Sequence, residues 1–198
     1  KRTTPLLNSP FLDEIADRQI FIKAECLQHT GSFKFRGAYS AISSIPIEKR
    51  KKGVIAYSSG NHAQGVAYAA KIHKIPATII MPEDAPEIKI NNTKDLGAEV
   101  ILYDRLSENR EKIGQKISEE RLLSLIPPYD HNDVIAGQGT IGLEIASQAE
   151  QIGIGKADVL VCCGGGGLTS GIAVALSTLM PDFVTRPVEP EGFDDVVR

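Results

Sequence analysis

The chain has 198 residues, 42% of them hydrophobic, and a formal net charge of -3, enough apolar side chain for one ordinary domain or two small ones and too little positive charge to favour nucleic acid as a partner. No apolar run approaches the roughly 20 residues of a membrane-spanning helix, and no signal-peptide pattern opens the chain. Its 3 cysteines, Cys26, Cys162 and Cys163, have no metal-ligand spacing and are odd in number, which argues against a secreted disulfide framework and makes the cytoplasm the expected compartment.

In chain order, residues 20–25 read as a strand and 33–45 as a helix, followed by strand 54–57 and helix 61–73. Strand 77–81, helix 87–96, strand 99–103 and helix 107–120 continue the alternation, and strand 123–126, helix 140–151, strand 159–163 and helix 168–179 complete it. Such alternation predicts an α/β fold with parallel-rich sheets, helices on both faces, and functional loops at the carboxyl ends of the strands. The charged segment 48–53 and the stretch from Pro127-Pro128 to Asp133 read as crossings between two lobes. Pro187, inside the run 184–188, removes a ladder donor and suits an edge strand or a strand start.

Three segments carry chemistry. Lys34 stands after a Thr30-Gly31-Ser32 turn, between Phe33 and Phe35, at an expected helix start. The positive end of the helix and apolar neighbours both favour the neutral amine, which can form a Schiff base. Ser58-Ser59-Gly60-Asn61-His62 follows a strand and opens a helix of small residues, so hydroxyls, an amide and helix N–H groups suit a carboxylate. Gly164-Gly165-Gly166-Gly167 follows another strand, where several amides can converge on phosphate oxygens. Taken singly, these are equally a solvated lysine, a serine-capped turn and a flexible loop. Together they would serve one cofactor that bears a phosphate and an aldehyde and holds an amino acid by its nitrogen, which is pyridoxal phosphate.

The same residues, with Lys23-x-Glu25, Arg36-Gly37-Ala38, Ala63-Gln64-Gly65 and Gly137-Gln138-Gly139-Thr140, are collinear with the fold-type II (tryptophan synthase β-like) pyridoxal-phosphate enzymes. Within these, the chain resembles the threonine/serine dehydratase and serine racemase group. The resemblance implies that Lys34 forms the Schiff base and removes the α-proton, that Phe33 packs by the cofactor ring and that Asn61 meets the ring hydroxyl. It assigns the phosphate to the amides of Gly164, Gly165, Gly166 and Gly167, and the substrate carboxylate to Ser58, Ser59 and His62. Ser59 takes the position that carries the second acid/base in the racemase branch, and Arg110 falls where some racemase-like members place an arginine at the substrate mouth. A large lobe of residues 1–52 and 128–198 with part of its C-terminal side missing, a small mobile lobe of residues 53–127, and a homo-oligomer (dimer or tetramer) are implied as well.

Glu189 and Asp195, at i and i+6, can wrap a hard cation such as Mg2+ or Ca2+, or form a solvated acidic turn. The resemblance adds the Phe193 carbonyl to that candidate site. The activity it implies is dehydration of L-threonine or L-serine, a small-molecule amino-acid substrate, to a 2-oxo acid and ammonia. Amino-acid racemisation and dehydration of 3-hydroxyaspartate stand beside it, as does a non-catalytic, regulatory pyridoxal-phosphate binder. Nucleotide binding at the glycine run leaves Lys34 and the serine-asparagine corner without a role.

Overall fold

The structure is a computed structural model and describes residues 1–194 and 196. Strands β1 (Leu6–Asn8) and β2 (Phe21–Lys23) pair antiparallel, with α1 (Pro10–Ala16) between them in the chain. Two 3-10 turns, Glu25–Leu27 and His29–Gly31, then lead into α2 (Lys34–Ser44) and the single turn α3 (Ile47–Arg50). A parallel sheet follows, built from β3 (Val54–Tyr57), β4 (Ala77–Pro82), β5 (Glu99–Tyr103) and β6 (Ser124–Leu125), with α4 (Asn61–His73), α5 (Glu87–Asp95) and α6 (Arg110–Arg121) as crossovers. Helix α7 (Asn132–Gln151) crosses to a second parallel pair, β7 (Ala157–Cys162) and β8 (Phe183–Val188), joined through α8 (Gly167–Leu179).

The order β5-β4-β3-β6 places a topological switch between β3 and β6, since the chain leaves β3 toward β4 and β5 and returns on its other side. Ligands of open α/β sheets bind in the crevice at the carboxyl ends of strands flanking such a switch. The Ser58 corner leaves β3 there, and Ile126-Pro127-Pro128 leaves β6 there.

The helix expected from Thr140 begins eight residues earlier, at Asn132. Gly137 and Gly139 lower helix propensity and so mask its first turns in the sequence. Both positions are glycine because neighbouring backbones leave no room for a side chain: a Cβ on Gly137 would lie 2.5 Å from the Arg36 carbonyl oxygen, and one on Gly139 2.9 Å from that of Gly171. The short β1, α1 and α3 were not legible as periodic patterns. Pro187 pairs opposite Val161 in β8, whose described partner is β7 alone, which fits the edge position expected of it.

Apolar packing forms two main clusters. One joins Phe35, Ala38 and Ile42 of α2 to β3, β4 and α4, and the other joins α7, α8, β7 and β8, with Phe33 packed against it. Helix α7 enters both, through Val134 in the first and Ile141 and Ile145 in the second. The chain around Lys34 therefore lies at the seam between two cores.

A buried charge cluster fixes that seam. The Arg36 side chain has no exposed surface and donates to Glu25 at 2.7 and 2.8 Å and to Glu144 at 2.7 and 2.9 Å. Lys23 and Lys1 reach the same Glu144 carboxylate at 2.8 and 2.7 Å, and Thr140 accepts a further Arg36 N–H at 3.0 Å. Burial alone would raise the Glu144 carboxyl, but hydrogen bonds from Arg36, Lys1 and Lys23 outweigh it and hold the group far below the usual carboxylate range. A depressed carboxylate stabilises the fold above its unfolded value near 4.3, and that contribution is lost as pH falls through the folded value. Removing one member strands a buried charge, so Arg36→Met is expected to lower unfolding free energy by about 3–5 kcal/mol at neutral pH. Urea denaturation between pH 7 and pH 3 checks both points: wild-type stability should fall below about pH 4.3 and Glu144→Gln should flatten the fall.

Candidate active site

Lys34 is placed by strain and by a serine hydroxyl. Thr30 and Gly31 take φ of 60° and 69°, and a β-branched residue in the left-handed region marks a conformation that its surroundings impose. The turn delivers buried Ser32, whose Oγ accepts the Lys34 backbone N–H at 3.2 Å, as α2 begins. The Lys34 Nζ then donates to the Pro128 carbonyl at 2.8 Å, with the Phe33 ring centroid 5.3 Å away. Burial pushes this amine below the ordinary lysine value. Desolvation thus supplies the shift toward the nucleophilic form.

Lys34 and the glycine run line one cavity of about 260 Å³. Gly164 and Gly165 form the loop after β7, Gly166 caps α8 with φ 76°, and Gly167 is its first residue. The Gly167 N–H closes back on the Gly165 carbonyl at 3.0 Å, so the loop is a tight turn that faces the cavity at a helix N-terminus. A Cβ on Gly165 would collide with the Tyr129 ring, which fills the space a side chain would need. Gln138 Oε1 and Thr169 Oγ1, in this cavity's lining, are buried without a hydrogen-bond partner among the described residues. Orphaned polar atoms beside a desolvated amine and a helix-end glycine turn fit a ligand that carries its own polar groups and a phosphate.

The serine-asparagine corner sits beside this cavity and does not line it. Ser58 Oγ accepts the Gly60 N–H at 3.2 Å, Ser59 is partly buried, and exposed Asn61 opens α4. Buried His62 donates from Nε2 to the Ile126 carbonyl at 2.9 Å. Burial pushes its pKa down to about 4 despite that bond, and the nearby Lys34 charge lowers it further. The ring is therefore neutral at physiological pH, and its Nε2 is committed to the strand end. Lys34 and His62 hold carbonyls two residues apart, so one ledge, Ile126 to Pro128, receives both the amine and the corner.

Arg110, at the first position of α6, is exposed and stacks its guanidinium 5.5 Å from the Tyr57 ring, next to Ser58. At the acidic turn, the Glu189 carboxylate accepts the Val196 N–H at 3.2 Å, and Phe193 is exposed with its N–H on the Pro190 carbonyl. Asp195 lies outside the described residues, and among the described residues no group of three or more His, Cys, Asp or Glu side chains is placed to hold a metal ion.

Sequence reasoning missed Pro128, Tyr129, Gln138 and Thr169 in the cavity wall. Gly137-Gln138-Gly139-Thr140 was visible as a motif, but the orientation of the Gln138 amide depends on how α7 meets α2.

The chain is 50% identical over 196 residues to an L-threo-3-hydroxyaspartate ammonia-lyase of Pseudomonas sp, covering 98% of this chain and 60% of that protein. It is 48% identical over 193 residues to a serine racemase of Schizosaccharomyces pombe, covering 97% of this chain and 58% of that one. The crystal structure of a T.th. threonine deaminase superposes with a TM-score of 0.90 at 46% identity, covering 98% of this chain and 61% of that chain. The chain thus spans about 60% of the length of these relatives. The family model for pyridoxal-phosphate dependent enzymes matches residues 1–198, and with a desolvated lysine and a glycine turn sharing one cavity, this chain belongs to that family.

Proposed function

We propose that this chain forms the cofactor-binding and substrate-binding part of an ammonia-lyase that converts L-threonine or L-serine to a 2-oxo acid and ammonia. The observation that carries the reading is the desolvated Lys34 amine in the same cavity as the four-glycine turn. Pyridoxal phosphate, when bound, supplies an aldehyde that captures an amine and a conjugated ring that accepts the electron pair of the α-carbon. Lys34 would hold the aldehyde and, once released, take the α-proton, for which its lowered pKa suits it. The glycine turn and the α8 N-terminus would bind the phosphate, with Thr169 donating its orphaned hydroxyl. Phe33 would wall the ring, Asn61 would meet the ring hydroxyl, and Ser58, Ser59 and the Arg110 edge would receive the carboxylate. His62, neutral and tied to Ile126, would shape that corner as an uncharged wall.

A second reading, racemisation, is favoured by the Ser59 hydroxyl in the corner and by the relatives named serine racemase. The name of the Pseudomonas relative likewise supports 3-hydroxyaspartate as a further substrate of the same chemistry. We extend the proposal to a mobile small lobe of residues 53–127 closing on the rest, in a cytoplasmic homo-oligomer. The free thiols of Cys26, Cys162 and Cys163 suit a reducing compartment, and among the described residues no helix is long and apolar enough to cross a membrane. Mg2+ or Ca2+ at the turn after β8, through Glu189, Asp195 and the Phe193 carbonyl, belongs to the same reading.

Borohydride reduction of the cofactor-loaded full chain should place the adduct on Lys34 by peptide mapping, and threonine or serine should yield a keto acid. An adduct on another lysine sinks the assignment, and D-serine without keto acid turns the reading to racemisation. Thr169→Val should weaken pyridoxal phosphate binding by about tenfold or more, the value of a hydrogen bond to a charged group. Pyridoxal, which lacks the phosphate, should bind both proteins alike. Equilibrium dialysis with Ca2+ should show binding to the wild type that Glu189→Ala abolishes.

A further inference from the structure

Gly65 stands where α4 crosses α2. A Cβ on it would lie 3.1 Å from the Lys34 carbonyl carbon, 3.1 Å from the Phe35 nitrogen and 3.3 Å from the Lys34 carbonyl oxygen. The helix that opens at the serine-asparagine corner therefore touches, backbone on backbone, the peptide that carries the reactive amine. Gly65 lies inside a regular helix and is not among the residues of positive φ, so a side chain there is opposed by tight space and not by dihedral angle. One turn earlier on the same face, His62 ties the corner to Ile126, and Lys34 holds the carbonyl of Pro128 on the same ledge. Corner and amine are thus held to each other at two points.

An α-amino acid carries its amine and its carboxylate on one carbon. A site that captures the first and cradles the second must hold its two halves at a single short spacing. A contact through side chains can adjust by rotamer changes, whereas two apposed backbones leave nothing to yield. We propose that Gly65 is a positioning residue that sets the amine-to-carboxylate spacing and thereby selects α-amino acids over longer ones. The proposal rests on the assignment of Lys34 and the Ser58 to His62 corner made above.

A methyl group at this position forces α4 away from α2 by a few tenths of an ångström. The cofactor phosphate and aldehyde would be held elsewhere, by the glycine turn after β7 and by Lys34, so the displacement should fall on the substrate corner, with Asn61 the one cofactor contact that moves with α4. The test uses the cofactor-loaded full chain with Gly65→Ala, and Ala67→Gly as a control that weakens the same helix by about 1 kcal/mol without adding volume. Gly65→Ala is expected to keep the visible absorbance of the Lys34-bound cofactor, raise KM for serine or threonine about tenfold, and change kcat far less. Absorbance titrations with glycine and β-alanine should show the wild-type preference for glycine narrowing in Gly65→Ala. Ala67→Gly should leave KM and that preference at wild-type values. A Gly65→Ala protein with wild-type KM, one that no longer holds cofactor, or an equal KM rise in Ala67→Gly overturns the proposal. Failure of the underlying assignment is distinct, because it would appear in the wild type as an adduct on a lysine other than Lys34.

Discussion

A guanidinium without exposed surface, shared between two carboxylates, is the constraint on which the site depends. Arg36 lies two residues beyond Lys34, and its partners come from the turn after β2 and from the middle of α7. Each charge is tolerable in the interior only because the others are there, so the cluster has one low-energy arrangement. Helix α2 cannot slide along α7 without breaking several short ionic hydrogen bonds. Although Arg36 lies close to Lys34, its donors are engaged with protein carboxylates and Thr140.

Around this anchor the helices approach more closely than side chains would permit. Gly37 faces the Gln138 side chain, Gly137 faces the Arg36 carbonyl, and Gly139 and Gly171 lie against each other. The sequence α4, α2, α7, α8 is thereby a stack of near-backbone contacts, with the serine-asparagine corner at one end and the glycine turn at the other. Glycine lowers helix propensity, so the stack gives up local helix stability for closeness. Close packing of this kind transmits position with little slack.

The proposed chemistry rests on where water is excluded. Lys34 is desolvated, which favours the neutral amine, and His62 is desolvated further, which keeps a second positive charge from forming beside it. Both nitrogens rest on carbonyls of the segment leaving β6. Its two prolines have no N–H to contribute to a ladder, so the segment leaves the sheet and offers acceptors to the crevice.

Much of this was legible beforehand because it is written over a few adjacent residues. The βα alternation, the Thr-Gly-Ser turn before Lys34, the small-residue helix after Ser58 and the glycine run are local statements about dihedral angle, burial and helix ends. They were sufficient for the α/β fold and for singling out the lysine and the two corners that the proposed site uses. The start of α7 was not legible, since its glycines look like helix breakers until Arg36 and Gly171 are seen pressed against them. Nor were the roles of Arg36, Gln138 and Pro128, whose partners or surroundings come from distant parts of the chain: Pro128 is 94 residues from Lys34, and Arg36 bonds Thr140 and Glu144 across 104 and 108 residues. The sequence by itself determined the fold class and which chemical groups the proposed site draws on. Only the tertiary structure decided how far apart they stand, because that spacing is a property of helices packed against one another and not of any run of neighbouring residues.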